Sequence, residues 1–572
     1  MSDIKNYSLS EIAPGRDFSH YGVSRWASAK DINTKLKELT DQNVFCITDE
    51  EYANICKNYY DVKCAKSKAI TGEAKKYIPG GVQHNLAFNK PFPMCMVKAE
   101  GAYLYDIDGN KYTDFLQAGG PTILGSNFPE VQEEAIELIK DCGPVTGLFH
   151  EAELLIAKEI NKHMPNIEMF RMLGSGTESV MAAIRVARCA THKKRVIKIG
   201  GAYHGWSDQM VYGLKIPGTR QFLESFGIPN NIFSLIDEVQ PNNLEMLEDY
   251  LKANQRKGGT ACVIVEPVGP ESGTRPVDWN YNKGVEMLCR KYGALFIFDE
   301  VVTGFRVGLG GAQGLFDVHP DLTIFGKIVA GGYPAAGGVG GKKEYVSCMA
   351  AGVASGMKRA YVGGTLAANP LSALAGYSAI KCIAKYDACA KAGRAGDRLT
   401  DGLVRLCNEY NLPYVAYNQG SIVHLECTGA MSYDFSAKCL LKSLLPILKK
   451  QDMIYVRKEA MEMMGAAYMS HGIVTLAGSR LYTSMADTDE VIDEALNKFE
   501  DVFKLIVERK QPMEVYVQKY KKEHGKDKEG KAKRKADKKA AIAQRKADGK
   551  VAAAKAKKDL VKLKETMKSA KC

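Results

Sequence analysis

The most regular signal along this chain is a set of short apolar runs set far enough apart for helices to pass between them. Arg195–Ile199, Ala261–Val265 and Ala294–Phe298 are mostly apolar and rich in β-branched and aromatic residues. Such runs predict strands buried on both faces, and the long intervals between them predict helical crossovers. The fold class expected is α/β, with a large domain built on a mostly parallel sheet over residues 125–370. A smaller α/β domain is expected to begin in residues 71–124 and to resume over 371–510, closing with a helix around Asp489–Arg509. Within its first part, the segment from Gly101 to Asn110 alternates apolar and polar positions and predicts a hairpin. Residues 1–70 read as an N-terminal helical extension. There Thr48 precedes Asp49, Glu50 and Glu51, an N-cap followed by acids in the first turn.

Composition changes this picture mainly at the C-terminus. At 572 residues and 45% hydrophobic the chain can bury a large core, and no apolar run of membrane-spanning length occurs. The first residues lack the apolar stretch of a secretory signal. Fifteen cysteines are scattered with no CxxC pair, which argues for a reducing, cytoplasmic setting. The formal charge of +12 is misleading as a whole-chain property. Residues 521–572 carry 20 Lys/Arg and 7 Asp/Glu, a net of +13, leaving −1 for the other 520 residues. This tail, assigned to 511–572, is too poor in apolar residues to bury a core, and a solvated, mostly disordered or partly helical extension is expected. Its lysines could bind nucleic acid or another polyanion, but it has no aromatic residues for base stacking.

Three constellations carry candidate chemistry. Asp299 follows the run Ala294–Phe298, and in parallel sheets ligands sit beyond the carboxyl ends of strands. Lys327 follows Leu322-Thr323-Ile324-Phe325-Gly326, where partial desolvation would free its amine as a nucleophile. Ser175, Gly176 and Thr177 open an apolar-faced helix, and Ser175 and Glu178 have capping-box spacing; a helix N-terminus attracts phosphate. Singly, each is as well read as an acidic cap, a surface lysine and a plain helix start. Together they match pyridoxal 5'-phosphate, which needs a lysine for its aldehyde, an acid for its ring nitrogen and a phosphate cup. Tyr203, in Gly200-Gly201-Ala202-Tyr203-His204-Gly205, adds an aromatic face. The glycine run from Ala330 to Gly341 lacks the context of a dinucleotide fold and is read as active-site backbone. His204 has no partner at ligand spacing, and no metal is assigned.

From about Tyr77 to Lys510 the sequence resembles the class III aminotransferases of fold type I, and among them the glutamate-1-semialdehyde aminomutase-like group. The matching text includes Ile78-Pro79-Gly80-Gly81-Val82, Ser175-Gly176-Thr177-Glu178, Tyr203-His204-Gly205 and Glu266-Pro267-Val268. It continues through Phe298-Asp299-Glu300-Val301-Val302-Thr303-Gly304-Phe305-Arg306, Gly326-Lys327 and Gly364-Thr365-Leu366-Ala367-Ala368-Asn369-Pro370. The resemblance implies that Lys327 forms the Schiff base, Asp299 pairs with the pyridinium, and Val301 and Tyr203 sandwich the ring, with His204 nearby. Gly176 and Thr177 would hold the phosphate, helped by Thr365 from a second subunit, which implies a homodimer with shared sites. Glu266, His84, Trp206 and Arg480 are the candidate substrate residues.

Three departures separate the chain from the aminomutase itself. No arginine follows Pro79-Gly80-Gly81, Trp206 stands where a second histidine is common, and Ser479-Arg480 replaces a glutamate. A guanidinium at Arg480 suits a substrate carboxylate, although a structural acid could equally claim it. The main reading is an aminotransferase acting between an amino acid, or an ω- or β-amino acid, and a 2-oxo acid. The alternatives are an aminomutase- or racemase-type isomerase, and an inactive scaffold with a polyanion-binding tail.

Overall fold

In the computed structural model of the chain, residues 4–213, 227–352, 359–430, 432 and 444–569 are described. They fall into two units, Met1–Arg509 and Lys510–Cys572. The first is organised on a seven-stranded sheet. Its strands are β1 (Met169–Leu173), β2 (Arg195–Ile199), β3 (Ile236–Val239), β4 (Thr260–Val265), β5 (Leu295–Asp299), β6 (Leu322–Gly326) and β7 (Gly337–Gly341). The order is β1-β7-β6-β5-β4-β2-β3. The pairs from β6 through β3 are parallel, and β7 runs antiparallel between β6 and β1.

The three strands read from the apolar runs are present, β2 with the expected bounds and the other two within one residue. Their continuous hydrophobicity has a direct cause. Val263, Val265, Phe296 and Phe298 join one apolar cluster, while Cys262, Ile264, Leu295 and Ile297 join another on the opposite face. Each fully buried side chain of this size contributes roughly 1.5–3 kcal/mol to burial. The one-residue shift of β5 matters most, because it makes Asp299 the last residue of the strand.

The glycine run contains a strand. Within the run read as active-site backbone, Gly337–Gly341 is a fully buried strand. A Cβ at Gly337 would lie 2.3 Å from the Ser175 carbonyl oxygen, and one at Gly338 would lie 2.4 Å from the Phe170 ring. Neighbouring elements pack so tightly that only glycine fits, and glycine's poor strand propensity hides the strand from the sequence.

The predicted hairpin is present as antiparallel Tyr103–Asp106 and Lys111–Asp114, with Met96–Glu100 on its outer side. A separate three-stranded sheet holds Val415–Gln419, Ile422–Glu426 and Arg480–Tyr482. Its register sets Tyr417 opposite His424, and His424 opposite Arg480, in one row across the sheet. The closing helix spans Asp489–Phe503 and stops short of Arg509, because Val507–Glu508 leaves to pair with Phe45–Cys46.

Thr48 caps its helix as expected, its hydroxyl accepting the Glu51 N–H at 2.9 Å. The leader is not only helical, however. Arg25–Ala27 pairs with Asn6–Ser8, and buried Trp26 packs edge-on against Trp279 and Phe316 while its indole N–H donates to the Val277 carbonyl. Three-residue strands are too short to show an alternation. In the second unit the tail, expected to be mostly disordered or partly helical, holds a helix, Lys528–Ser569. Among the described residues no helix is long and apolar enough to cross a membrane.

Candidate active site

Asp299 ends β5, and Lys327 follows β6 directly. These strands are paired neighbours, with Asp299 level with Ile324. A carboxylate and an amine are thereby delivered to the same edge of the sheet from strands about 4.8 Å apart. Lys327 has φ of 49°, a left-handed conformation that a non-glycine residue adopts only when its surroundings impose it. Gly326 cannot carry a side chain, since a Cβ there would sit 2.8 Å from a Val301 methyl. Burial first, and then the Arg480 guanidinium, hold the Lys327 amine below its usual range, against the upward pull of Asp299, Glu266 and Glu271.

The third constellation arrives from β1. Ser175 caps the helix Gly176–Thr191, its hydroxyl accepting the Glu178 N–H at 3.2 Å. The capping box predicted from the spacing is displaced by one residue, because the Glu178 carboxylate accepts the N–H of Gly174 at 2.9 Å and not that of Ser175. The backbone N–H groups of Gly176 and Thr177 lie in the first turn, where no helical acceptor exists. Among the described residues they find no other acceptor. Val301 packs against both this helix start and β6: a Cβ at Gly176 would meet its methyl at 3.2 Å. Gly205 is likewise pressed onto Thr177, with a hypothetical Cβ 2.4 Å from the threonine hydroxyl.

Around this core the polar groups are ordered. His204, fully buried, is hydrogen-bonded to Asp299 at 2.6 Å through Nδ1, and its Nε2 has no partner among the described residues. The Asp299 carboxylate also accepts the Val301 N–H at 3.2 Å. Glu266 is engaged by four donors: the N–H groups of Tyr203 (2.7 Å), Glu271 (2.8 Å) and Ser272 (2.5 Å), and the Ser272 hydroxyl (3.1 Å). Burial nonetheless pushes its carboxyl up. Tyr203 presents a ring that is half exposed.

The turn that Glu266 holds is strained. Glu271 and Ser272 both have φ near +46°, and such residues cost of order 1–3 kcal/mol each. What the strain positions is Glu271: its carboxylate accepts from the Arg480 guanidinium at 2.9 Å and its carbonyl does so at 2.7 Å. Burial opposes the charge on Arg480, but Tyr482 and Glu271 outweigh it and hold the guanidinium above its usual range. Arg306, fully buried, bonds Gly120, Gln117, Ser421 and Thr483, so it ties the strand-end region to the C-terminal sheet. Gly120, its main acceptor, also abuts the Lys327 side chain.

Sequence reasoning missed two groups here. One is the Glu271–Ser272 turn, whose two left-handed residues are not glycines although Gly269 and Gly273 flank it. The other is His424, which lies beside Arg480 in the cross-strand row and stacks on Tyr417 with ring centroids 4.7 Å apart. Burial, and then Arg480, push its pKa down to about 3. An unfolded histidine takes up a proton near pH 6.5, so the unfolded state binds more protons between about 3 and 6.5, and this residue lowers stability as pH falls through that window. His424→Leu is expected to stabilise the protein by about 2 kcal/mol more at pH 5 than at pH 8. Thermal melts at the two pH values check this, and an equal shift at both would contradict it.

The remaining candidates lie nearby with different roles. His84 is exposed, and its Nδ1 accepts the Leu86 N–H at 3.1 Å. Leu86 itself lies against Gly119, next to Gly120. Trp206 is exposed, its backbone N–H donating to the Thr177 hydroxyl at 3.4 Å. Thr365 is exposed beside Gly364, which approaches the Glu178 carboxylate of its own chain.

A lysine and an aspartate at adjacent strand ends, beside a helix start with two unfilled N–H groups, fit pyridoxal phosphate in charge and in shape. The fold and this site define a pyridoxal-phosphate enzyme of fold type I. The chain belongs to the class-III aminotransferase family, whose model matches residues 87–503. It is 33% identical to glutamate-1-semialdehyde 2,1-aminomutase of Persephonella marina over 459 residues, 78% of this chain and 100% of that protein. Among solved structures it resembles an omega-transaminase from Sphaerobacter thermophilus, at TM-score 0.66 and 25% identity over 78% of this chain and 98% of that one. A glutamate-1-semialdehyde aminomutase from Pseudomonas aeruginosa PAO1 shares the fold at TM-score 0.66 and 18% identity, over 85% of this chain and 100% of that one.

Proposed function

We propose that this enzyme moves an amino group on a small carboxylate-bearing substrate, with Lys327 as the cofactor-binding and proton-transferring lysine. The observation that carries this reading is the delivery of Lys327 and Asp299 from adjacent strands to one edge of the sheet. Bound pyridoxal phosphate supplies an aldehyde for amine exchange and an electron-withdrawing ring. Asp299, held by His204 and the Val301 N–H, keeps a positive charge on the ring nitrogen. The N–H groups of Gly176 and Thr177 bind the phosphate. Lys327, with its amine pKa lowered, is free to carry protons between substrate carbon and cofactor.

The relatives favour the aminomutase alternative over the aminotransferase reading of the sequence, and we adopt it first: an internal shift of the amino group from C2 to C1 of glutamate 1-semialdehyde, giving 5-amino-4-oxopentanoate. The aminotransferase reading keeps one specific observation in its favour, the part-buried Arg480–Glu271 pair, whose guanidinium acts on the charge of the Lys327 amine. Supplying glutamate 1-semialdehyde alone, without an acceptor, separates the two. Product formation supports the mutase; turnover only with an amino acid and a 2-oxo acid supports the aminotransferase.

On the aminotransferase reading Arg480 is the carboxylate anchor, with Glu271 holding its place. Arg480→Ala is expected to raise KM for carboxylate substrates by about 10- to 100-fold with a smaller change in kcat, the worth of one charge-assisted pair. An unchanged KM would remove Arg480 from the substrate site. A homodimer is part of the same proposal. A cleft of about 1040 Å³ lined by Leu148, Phe149, Met169 and Thr365 runs past exposed apolar side chains that a second copy would cover.

A further inference from the structure

The enzyme chemistry leaves the second unit without a role. Its helix Lys528–Ser569 is 42 residues long, or roughly 63 Å. It carries 16 Lys/Arg against 5 Asp/Glu, and its side chains are exposed over residues 531–562. A helix with this much like charge repels itself, so the charge favours a partner of opposite sign.

The distribution of side chains narrows the partner. Ile542 and Val551 are both exposed and nine residues apart, which places them on opposite sides of the helix. Until the last turns there is thus no apolar stripe for lying on a membrane or for a coiled coil. Among residues 531–562 the other large apolar side chains are Leu560 and Val561, eighteen or more residues beyond Ile542. The basic residues instead surround the axis over the length of the helix: Lys531, Arg534, Lys535, Lys538 and Lys539 fall on one side, and Lys533, Lys555, Lys558 and Lys562 on the other. A flat anionic surface would engage one side of such a helix. The major groove of B-form DNA, about 12 Å wide, admits a helix and flanks it with phosphates on both sides. The ten alanines between the basic residues keep the rod slender enough to enter. No aromatic residue occurs after Tyr520, which removes the stacking that single strands require. A-form RNA presents a deep, narrow major groove that side chains do not reach.

We propose that Lys528–Ser569 binds double-stranded DNA through its phosphate backbone, independently of base sequence. The proposal does not rest on the assignment of the active site.

Fluorescence anisotropy of a labelled mixed-sequence DNA duplex, titrated with the full chain, tests it. Binding should weaken by about a thousand-fold between 50 and 200 mM salt, as for release of several counterions. A second duplex of unrelated sequence should bind within about two-fold. A chain ending at Asp527 should lose at least about 30-fold in affinity. The full-length variant with Lys531, Lys533, Arg534, Lys535, Lys538 and Lys539 all changed to Gln should lose about ten-fold or more and show a shallower salt slope. Because glutamine keeps the helix, that variant separates lost charge from lost folding. No binding, binding retained by the shortened chain, or binding insensitive to salt would overturn the proposal. Tighter binding to a duplex RNA of the same sequence, or to phosphatidylserine vesicles, would overturn it equally.

Discussion

Lys327→Ala is expected to reduce turnover by at least about a thousand-fold, the largest effect of any single substitution in this protein. Two functions are lost together. The side chain is an amine at the strand-end edge beside Asp299, its pKa lowered by burial and by Arg480, and on the proposed reading it both holds the cofactor and moves protons. The fold should tolerate the change. Lys327 sits in a left-handed conformation after β6, and alanine places no larger group there. Circular dichroism should therefore match the wild type while steady-state turnover and the lysine-linked visible absorption disappear. Turnover within ten-fold of the wild type, in a folded variant, would show that another group performs the proton transfer.

Asp299→Asn ranks second, with an expected loss of about 100- to 1,000-fold in kcat. The substitution preserves shape and changes charge. An amide can still meet His204, but it cannot hold a positive charge on a ring nitrogen, so the cofactor loses its ability to take up electrons from the substrate. His204 bonds Asp299 at 2.6 Å in a fully buried position, which makes it the positioning residue for this carboxylate. The discriminating readout is kinetic. A drop in kcat with cofactor still bound supports the role given to Asp299, and a variant that only loses cofactor affinity while keeping kcat at saturation would refute it.

What could be read from the sequence follows from where side chains are buried. Strands β2, β4 and β5 sit between two apolar clusters, so most of their positions are apolar and the runs stand out. The chemistry at their ends is legible for the same reason: Asp299 and Lys327 are polar residues arriving where an apolar run stops. The helix start at Ser175 is likewise marked by its cap. Other features had no local signature. Gly337–Gly341 is a strand because its neighbours leave no room for side chains, and composition argues against a strand there. The Glu271–Arg480 pair spans 209 residues of sequence, and neither residue has a local reason to meet the other. Glu271 and Ser272 adopt a glycine-like backbone because Glu266 collects their N–H groups, a cause that only the folded chain displays. Arg480 illustrates the limit most clearly. The sequence left it between a substrate carboxylate and a structural acid, and the structure pairs it with an acid that lies in the site itself. The tail's low apolar content left it between a disordered and a partly helical extension, and its alanines and lysines, good helix formers, form a long helix.

The central claim is that Lys327 is the lysine that carries pyridoxal phosphate, and borohydride reduction followed by peptide mapping tests it most directly. Reduction fixes the cofactor to whichever lysine holds it. The account predicts a single pyridoxyl-modified peptide, the one containing Gly326-Lys327-Ile328. A modification on a different lysine, or none in protein saturated with the cofactor, would contradict it.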